Sequence, residues 1–212
     1  MLGSPTPDIA RLTDPGPPAK PPVMSSERIL LRPILQQDYE FLYFLELGRP
    51  EAVFFRHRGR SIAPEQFPST LWSGVLVQSV VCERASGRPI GLQTCFDADF
   101  RNGHARLATI LDPEYLGLGW PLESSEIFID YIFATFPFRK LYGDILEFNS
   151  DALHSSLPDL ARVEGRLHEH EYYGGRYWDL VTIAIYRREW EERNRGNDRR
   201  ARFMDALRES DV

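Results

Sequence analysis

Leu111-Asp-Pro-Glu-Tyr-Leu-Gly117-Leu-Gly119-Trp-Pro-Leu-Glu123 is the stretch whose reading decides the fold. A strand-like run, His104–Leu111, leads into it, and a long apolar-faced helical pattern, Glu123–Phe136, leads out of it. Two glycines one residue apart between a strand and a helix build a loop whose backbone N–H groups can converge. With the positive end of a helix behind them, such groups form a cradle for a phosphate or pyrophosphate. Pro121, in the first helical turn, is tolerated there but removes one N–H from the cradle.

Working outward from this loop, the pattern alternates between periods of two and of 3.6. Upstream, Arg28–Ile34 reads as a short strand, and Gln36–Leu47 as an amphipathic helix with Tyr39, Phe41, Leu42, Tyr43 and Leu45 at helical spacing. Pro64–Trp72 reads as a second helix with proline in its first turn. Val75–Glu83 and Pro89–Phe96 are β-rich and separated by the turn Arg84-Ala-Ser-Gly-Arg88, and Asn102-Gly103 is the turn signal before His104–Leu111. Downstream, Ile127, Phe128, Tyr131, Ile132 and Phe136 carry the helical stripe. Lys140–Leu146 then reads as a strand, Asp151–Ala161 as a short helix, and Arg162–Glu171 and Tyr177–Tyr186 as strands joined by a Gly174-Gly175 turn. The predicted order is β-α-α-β-β-β-α-β-α-β-β, an α+β layout.

The 212 residues suit one domain with tails. Residues 1–26 hold seven prolines and read as a Pro-rich flexible arm, 27–190 as the folded domain, and 191–212 as a charged C-terminal helix or tail. A hydrophobic content of 42% supports a real core, and the net charge of −6 argues against broad nucleic-acid binding. No apolar run approaches the roughly 18 residues of a membrane span. Cys82 and Cys95 fall in predicted strands and read as buried free thiols of a reducing compartment, so a cytoplasmic protein is the expectation.

The order strand, Asp-Pro-Glu-Tyr, Gly-x-Gly, helix with an early glutamate resembles the GNAT N-acyltransferases. It is most similar to their RimJ/RimL branch, which acetylates protein N-termini and small amines. Arg162-Val-Glu-Gly-Arg-Leu, the Gly174-Gly175 turn and Asp179 resemble the ending of that branch. The resemblance covers about 27–190. It implies the GNAT fold, a mixed, mostly antiparallel central sheet flanked by helices, and acetyl-CoA or another acyl-CoA as co-substrate, with no metal. Carried over residue by residue, Thr109, Ile110 and Leu111 would offer backbone groups to the acyl and pantetheine parts. Leu116, Gly117, Leu118, Gly119 and Trp120 would hold the pyrophosphate, and Asn149 would contact pantetheine. Glu123 matches the family's glutamate near the helix start, where a carboxylate meets the positive end of the helix.

Two departures from the family pattern stand out: Pro121 in the first helical turn, which removes one N–H from the cradle, and Glu114, where the family usually has Gln or Arg three residues before the first glycine. A carboxylate facing a pyrophosphate repels it unless it turns away. That keeps two alternatives open, a phosphopantetheine donor on an acyl-carrier protein and a non-catalytic binding module of the same fold.

Amine acylation requires a neutral amine, a guided attack on the thioester and a proton for the leaving thiolate. Seven residues after the asparagine, where many members carry Tyr or Ser, stands Ser156, the candidate catalytic donor, beside His154 and Ser155. Candidate bases are Glu83, Asp97, Asp99, His168 and His170; the last two would share a strand face. Two histidines at that spacing can hold a metal, but no third ligand in a recognised pattern accompanies them. Arg56-His-Arg-Gly-Arg60 is either an acceptor wall or a solvated loop, and Phe54, Phe55, Trp72, Tyr172, Tyr173 and Trp178 are core residues or a pocket edge. The acceptor is read as a small-molecule or peptide amine, and family members are often homodimers.

Overall fold

The computed structural model describes residues 24–117, 119–149 and 160–195. Eight strands form one sheet in the order β1-β2-β3-β4-β5-β6-β8-β7. The strands are β1 Met24–Ser25, β2 Ile29–Arg32, β3 Val75–Glu83, β4 Pro89–Asp99, β5 His104–Leu111, β6 Lys140–Leu146, β7 Arg162–Tyr173 and β8 Arg176–Tyr186. The helices are α1 Tyr39–Leu47, α2 Phe67–Thr70, α3 Trp120–Thr135 and α4 Arg187–Arg193. Short 3-10 turns cover Gln36–Asp38, Pro50–Phe54, Pro113–Tyr115 and Glu147–Asn149.

The predicted strands fall where the pattern places them, with differences at the margins. Met24 and Ser25, inside the predicted arm, pair antiparallel with Leu31 and Leu30. The second helix is a single turn, Phe67–Thr70, rather than 64–72. The predicted helix Asp151–Ala161 lies mostly outside the described residues.

Helices cover both faces of the sheet. On one face α3 lays Ile127, Phe128, Ile132 and Phe133 against a core that includes Leu31, Cys95, Ala105 and Leu141. Contiguous i, i+1, i+5, i+6 burial is the stripe a helix needs to sit on a sheet. On the other face Leu42 and Leu45 of α1, with Phe67 and Leu71, pack on Val80, Cys82, Leu92 and Ile110. Cys82 and Cys95 are buried and unpaired, as expected, and burial pushes the Cys95 thiol up to about 12.

One joint in the sheet positions everything that follows. All pairings are antiparallel except β5 with β6, which run parallel and meet at His104–Lys140, Ala105–Leu141 and Arg106–Tyr142. Beyond these pairs β5 stays with β4 as far as Leu111, and β6 stays with β8 as far as Leu146. The two strands therefore part after Arg106, and a wedge opens in the middle of the sheet. Arg106 and Asp144 form an ion pair across it near its apex.

Candidate active site

The wedge leaves the β6-facing backbone groups of Leu107–Leu111 without a strand partner. Alternate N–H and C=O groups of a strand point to each side, so the gap-facing groups of Leu107 and Thr109 are available to an extended ligand laid along β5, while the Leu111 carbonyl accepts from Arg49 Nη1. The side chains of Ile110 and Leu111 are buried, which fixes the strand while its backbone edge stays open.

At the wide end, β5 runs directly into the glycine loop. Asp112 starts the 3-10 turn Pro113–Tyr115, its side chain accepting from the Glu114 N–H. Gly117 and Gly119 then adopt φ of +80° and +79°, and Gly119 is the N-cap of α3. L-residues rarely take this conformation, which is the local reason for both glycines. A Cβ on Gly117 would meet no heavy atom within 4 Å, so the loop's inner surface is open rather than packed. The first turn of α3 leaves N–H groups with no upstream helical carbonyl, and the helix dipole adds partial positive charge there. Leu116 is exposed, and Trp120 stands at the start of α3, edge-on to Tyr115 at 5.2 Å.

Two ion pairs flank this loop. Glu114 is turned toward Arg88, at 2.7 Å, which neutralises the carboxylate that departs from the family pattern. Glu123 is structural in the way its position suggests: Arg28 Nε donates to its Oε2 at 2.8 Å, and Nη2 reaches the same oxygen. The Arg28 guanidinium lies over the Trp120 ring, 4.8 Å from its centroid, and 3.8 Å from where a Gly119 Cβ would stand. Arg28 thus brings a cation to the loop from the edge of the sheet. Sequence reading missed it; an arginine opening a strand carries no sign of what it will face.

Below the strand, hydroxyl and amide groups tie β4, β5 and α3 together. Thr109 Oγ1 donates to Gln93 Oε1 at 2.9 Å, and Gln93 Nε2 donates to Ser124 Oγ at 2.9 Å. Ser125 Oγ donates to the Pro121 carbonyl at 2.8 Å and lies 2.9 Å from Thr109 Oγ1. This network locks the open edge of β5 to the first turn of α3, so wedge and cradle keep one geometry.

Asn149 ends the turn after β6 and is exposed. Leu118, His154, Ser155 and Ser156 lie outside the described residues. Two of the candidate bases are placed away from the wide end of the wedge. Asp99 accepts from the Asn102 N–H and lies 3.8 Å from His104, at the closed end of the β5–β6 pair. Asp97 sits in a bulge of β4 with φ +48°. His168 and His170 do not form a simple strand alternation. A bulge between Leu167 and Glu171, with Glu169 at φ +49°, interrupts the pleat, and His168 Nδ1 lies 2.9 Å from Asp179. Among the described residues no group of three His, Cys, Asp or Glu side chains is placed to hold a metal ion.

The Arg56–Arg60 segment is neither simply solvated nor simply a wall. Arg56 turns inward, with Nε 3.0 Å from Glu46, and donates to the Leu71 carbonyl at 2.6 Å; His57 is buried beside the same carboxylate. Arg58 points outward to Glu171, at 2.7 Å. A cavity of about 360 Å³ lies beside this segment, lined by Tyr43, Leu47, Arg49, Val53 and Ile62 among others.

A family model described as an acetyltransferase (GNAT) domain matches residues 28–154. The chain belongs to the GNAT acetyltransferase family. Spermidine N(1)-acetyltransferase of Escherichia coli (strain K12) is 25% identical to this GNAT domain over 104 residues, 49% of this chain and 56% of that protein. The match thus spans little more than half of that relative. Spermidine N-acetyltransferase from Vibrio cholerae, solved with CoA and spermine, superposes with a TM-score of 0.68 at 23% identity, over 78% of this chain and 99% of that one. A GNAT-family acetyltransferase from Bacillus anthracis gives 0.63 at 15%, over 77% and 98%. At these identities the structural likeness shows the GNAT fold, the mostly antiparallel mixed sheet flanked by helices. Among the described residues no helix is long and apolar enough to cross a membrane.

Proposed function

We propose that this protein transfers the acetyl group of acetyl-CoA to a primary amine by direct attack in a ternary complex. The observation that carries this reading is the continuity of two features: an open strand edge, Leu107–Leu111, that runs without a break into a positive-φ glycine loop at a helix N-terminus. An acyl-pantetheine arm needs the first and a pyrophosphate needs the second.

In this arrangement the pantetheine arm lies against the backbone of Thr109, Ile110 and Leu111, with Asn149 on the far wall. The pyrophosphate rests on Leu116, Gly117, Leu118, Gly119 and Trp120. The β5 edge fixes the thioester, so a neutral amine entering the wedge attacks the carbonyl carbon. The C–N bond forms, the C–S bond breaks, and the CoA thiolate takes a proton, for which Ser156 is the candidate donor. The amine gives up its extra proton to solvent or a base. Both described thiols are buried, and burial raises each thiol's pKa, which supports transfer without an acyl-enzyme.

The salt bridge of Glu114 with Arg88 favours CoA itself over a carrier-protein donor, because the carboxylate is paired rather than set against the pyrophosphate. The RimJ/RimL-like branch rests on the Arg162–Leu167 and Gly174–Asp179 motifs, and a cytoplasmic setting on the two free thiols. A homodimer has one physical support, the edge strand β7 with Val163 and Leu167 exposed.

Calorimetric titration with acetyl-CoA tests the reading. The wild type binds saturably, and Gly117→Trp, which forces an L-residue into φ +80° and fills the open loop, loses binding while melting as a folded protein. A wild type that does not bind acetyl-CoA overturns it.

A further inference from the structure

On the α1 face, the mouth of the wedge is bridged by aromatic rings. Arg49 Nη1 donates to the Leu111 carbonyl at 2.9 Å, tying the start of the Pro50–Phe54 turn to the end of β5. At the other end of that turn, Phe54 packs on Tyr173 at 4.8 Å and on Phe148 at 5.6 Å between centroids. Phe148 belongs to the turn that ends β6, and it also meets Trp178 of β8 edge-on at 5.0 Å. One short segment therefore spans from one wall of the wedge to the other, and the rings it gathers come from three separate parts of the chain. Phe148 is 38% exposed, so this lining is open to a ligand.

On the β6, β7 and β8 side of the same mouth, carboxylates are matched with cations of the chain, while Glu51 of the bridging turn is exposed. Toward the apex, Asp144 pairs with Arg106 and accepts from Thr182 at 2.9 Å. Glu171 pairs with Arg58 at 2.7 Å, and Glu147 lies 3.5 Å from Arg166. Asp179 holds Arg166 at 3.1 Å and accepts from the Glu169 N–H at 2.9 Å. The face of Trp178 is also occupied: the Arg176 guanidinium sits 3.4 Å from its ring centroid. Apart from Glu51, a polycation would have to displace these arginines to reach counter-charges, at the cost of leaving them unpaired. An amine on a flat apolar body needs only the rings and loses its single charge before it reacts.

We propose that the acceptor of this enzyme is a primary monoamine carried on an aromatic or flat apolar body, held by Phe54, Phe148 and Tyr173, in preference to a polyamine. The inference rests on the acetyl-transfer reading above and deepens it.

Release of CoA thiol from acetyl-CoA by the full chain, with 2-phenylethylamine and with spermidine as acceptors, tests it. The arylalkylamine is used with kcat/KM at least about tenfold above spermidine. Phe148→Ala raises the KM for the arylalkylamine about tenfold and leaves that for acetyl-CoA unchanged. Tyr173→Leu serves as the second variant should the first fail to fold. Preference for spermidine, or an arylalkylamine KM unmoved by both variants, overturns the acceptor assignment and leaves acetyl transfer standing. Bound acetyl-CoA with transfer to neither amine also overturns the acceptor assignment, while a wild type that binds no acetyl-CoA overturns the acetyl-transfer reading itself.

Discussion

Glu46 has no exposed surface, and neither of its carboxylate oxygens accepts a hydrogen bond from the described residues, although Arg56 Nε lies 3.0 Å from one of them. Burial outweighs the nearby guanidinium and pushes this carboxyl up to about 7. A carboxyl raised above its unfolded value binds more protons in the folded state than in the unfolded one. Its contribution to stability is therefore complete at low pH and is lost as pH rises to about 7. His57 opposes this: burial, and then Arg56 and Arg60, lower its imidazole, so its contribution is lost as pH falls. Comparing Glu46→Gln with the wild type cancels the histidine. Urea unfolding at pH 5 and pH 8 is expected to shift the stability difference in favour of the variant by about 2 kcal/mol at the higher pH. A pH-independent difference would mean that Glu46 is ionised throughout. The sequence carried a signal for this residue, because Leu42, Leu45 and Glu46 lie on one stripe of α1. A charged residue between two leucines reads as solvent-facing, however, and its partners come from a loop some ten residues on.

At the level of elements, α3 shows which helix ends can be read locally. Its start is legible: the glycine pair, Pro121 and Glu123 are neighbours in sequence, and Gly-x-Gly before an apolar stripe signals a loop and a helix. The structure begins the helix at Trp120, three residues ahead of the predicted start, because Pro121 suits a first turn. Its end is not legible. No basic residue occupies the last turn, and the terminal carbonyls are met from far along the chain by Arg187 at the start of α4. That guanidinium donates to the carbonyls of Phe133, Phe136 and Phe138 and lies over the Phe133 ring, 4.8 Å from its centroid. A planar fork with five donors can serve three carbonyls, whereas a lysine ammonium cannot match that spread. Arg187→Ala is expected to cost about 2 kcal/mol in urea unfolding, with Arg187→Lys recovering only part of it. Full recovery by lysine would assign the effect to charge at the helix end and not to the fork.

For the whole molecule, what the sequence conveys is order, and what it withholds is pairing. Alternation and turn residues predict the strands of the sheet closely, since each depends on its own residues and their immediate neighbours. The parting of β5 from β6 depends on which strands lie beside which, a non-local property that neither strand announces, and the aromatic bridge from Phe54 to Phe148 depends on it in turn. The wedge carries a consequence that amide hydrogen exchange can read. Leu107–Leu111 hold alternate N–H groups toward β4, where they are paired, and toward the gap, where no strand meets them. In the free protein the gap-facing amides are expected to exchange much faster than those of Val80–Cys82 in β3, which have a strand on each side. Acetyl-CoA laid along β5 supplies acceptors to the gap-facing groups, so saturating co-substrate slows them selectively and leaves β3 unchanged. Uniform slowing of both strands would report general stabilisation by a ligand bound elsewhere, because mass action protects every globally exchanging amide alike. Selective protection of Leu107–Leu111 in wild type, absent in Gly117→Trp, would tie the strand edge and the glycine loop to one ligand.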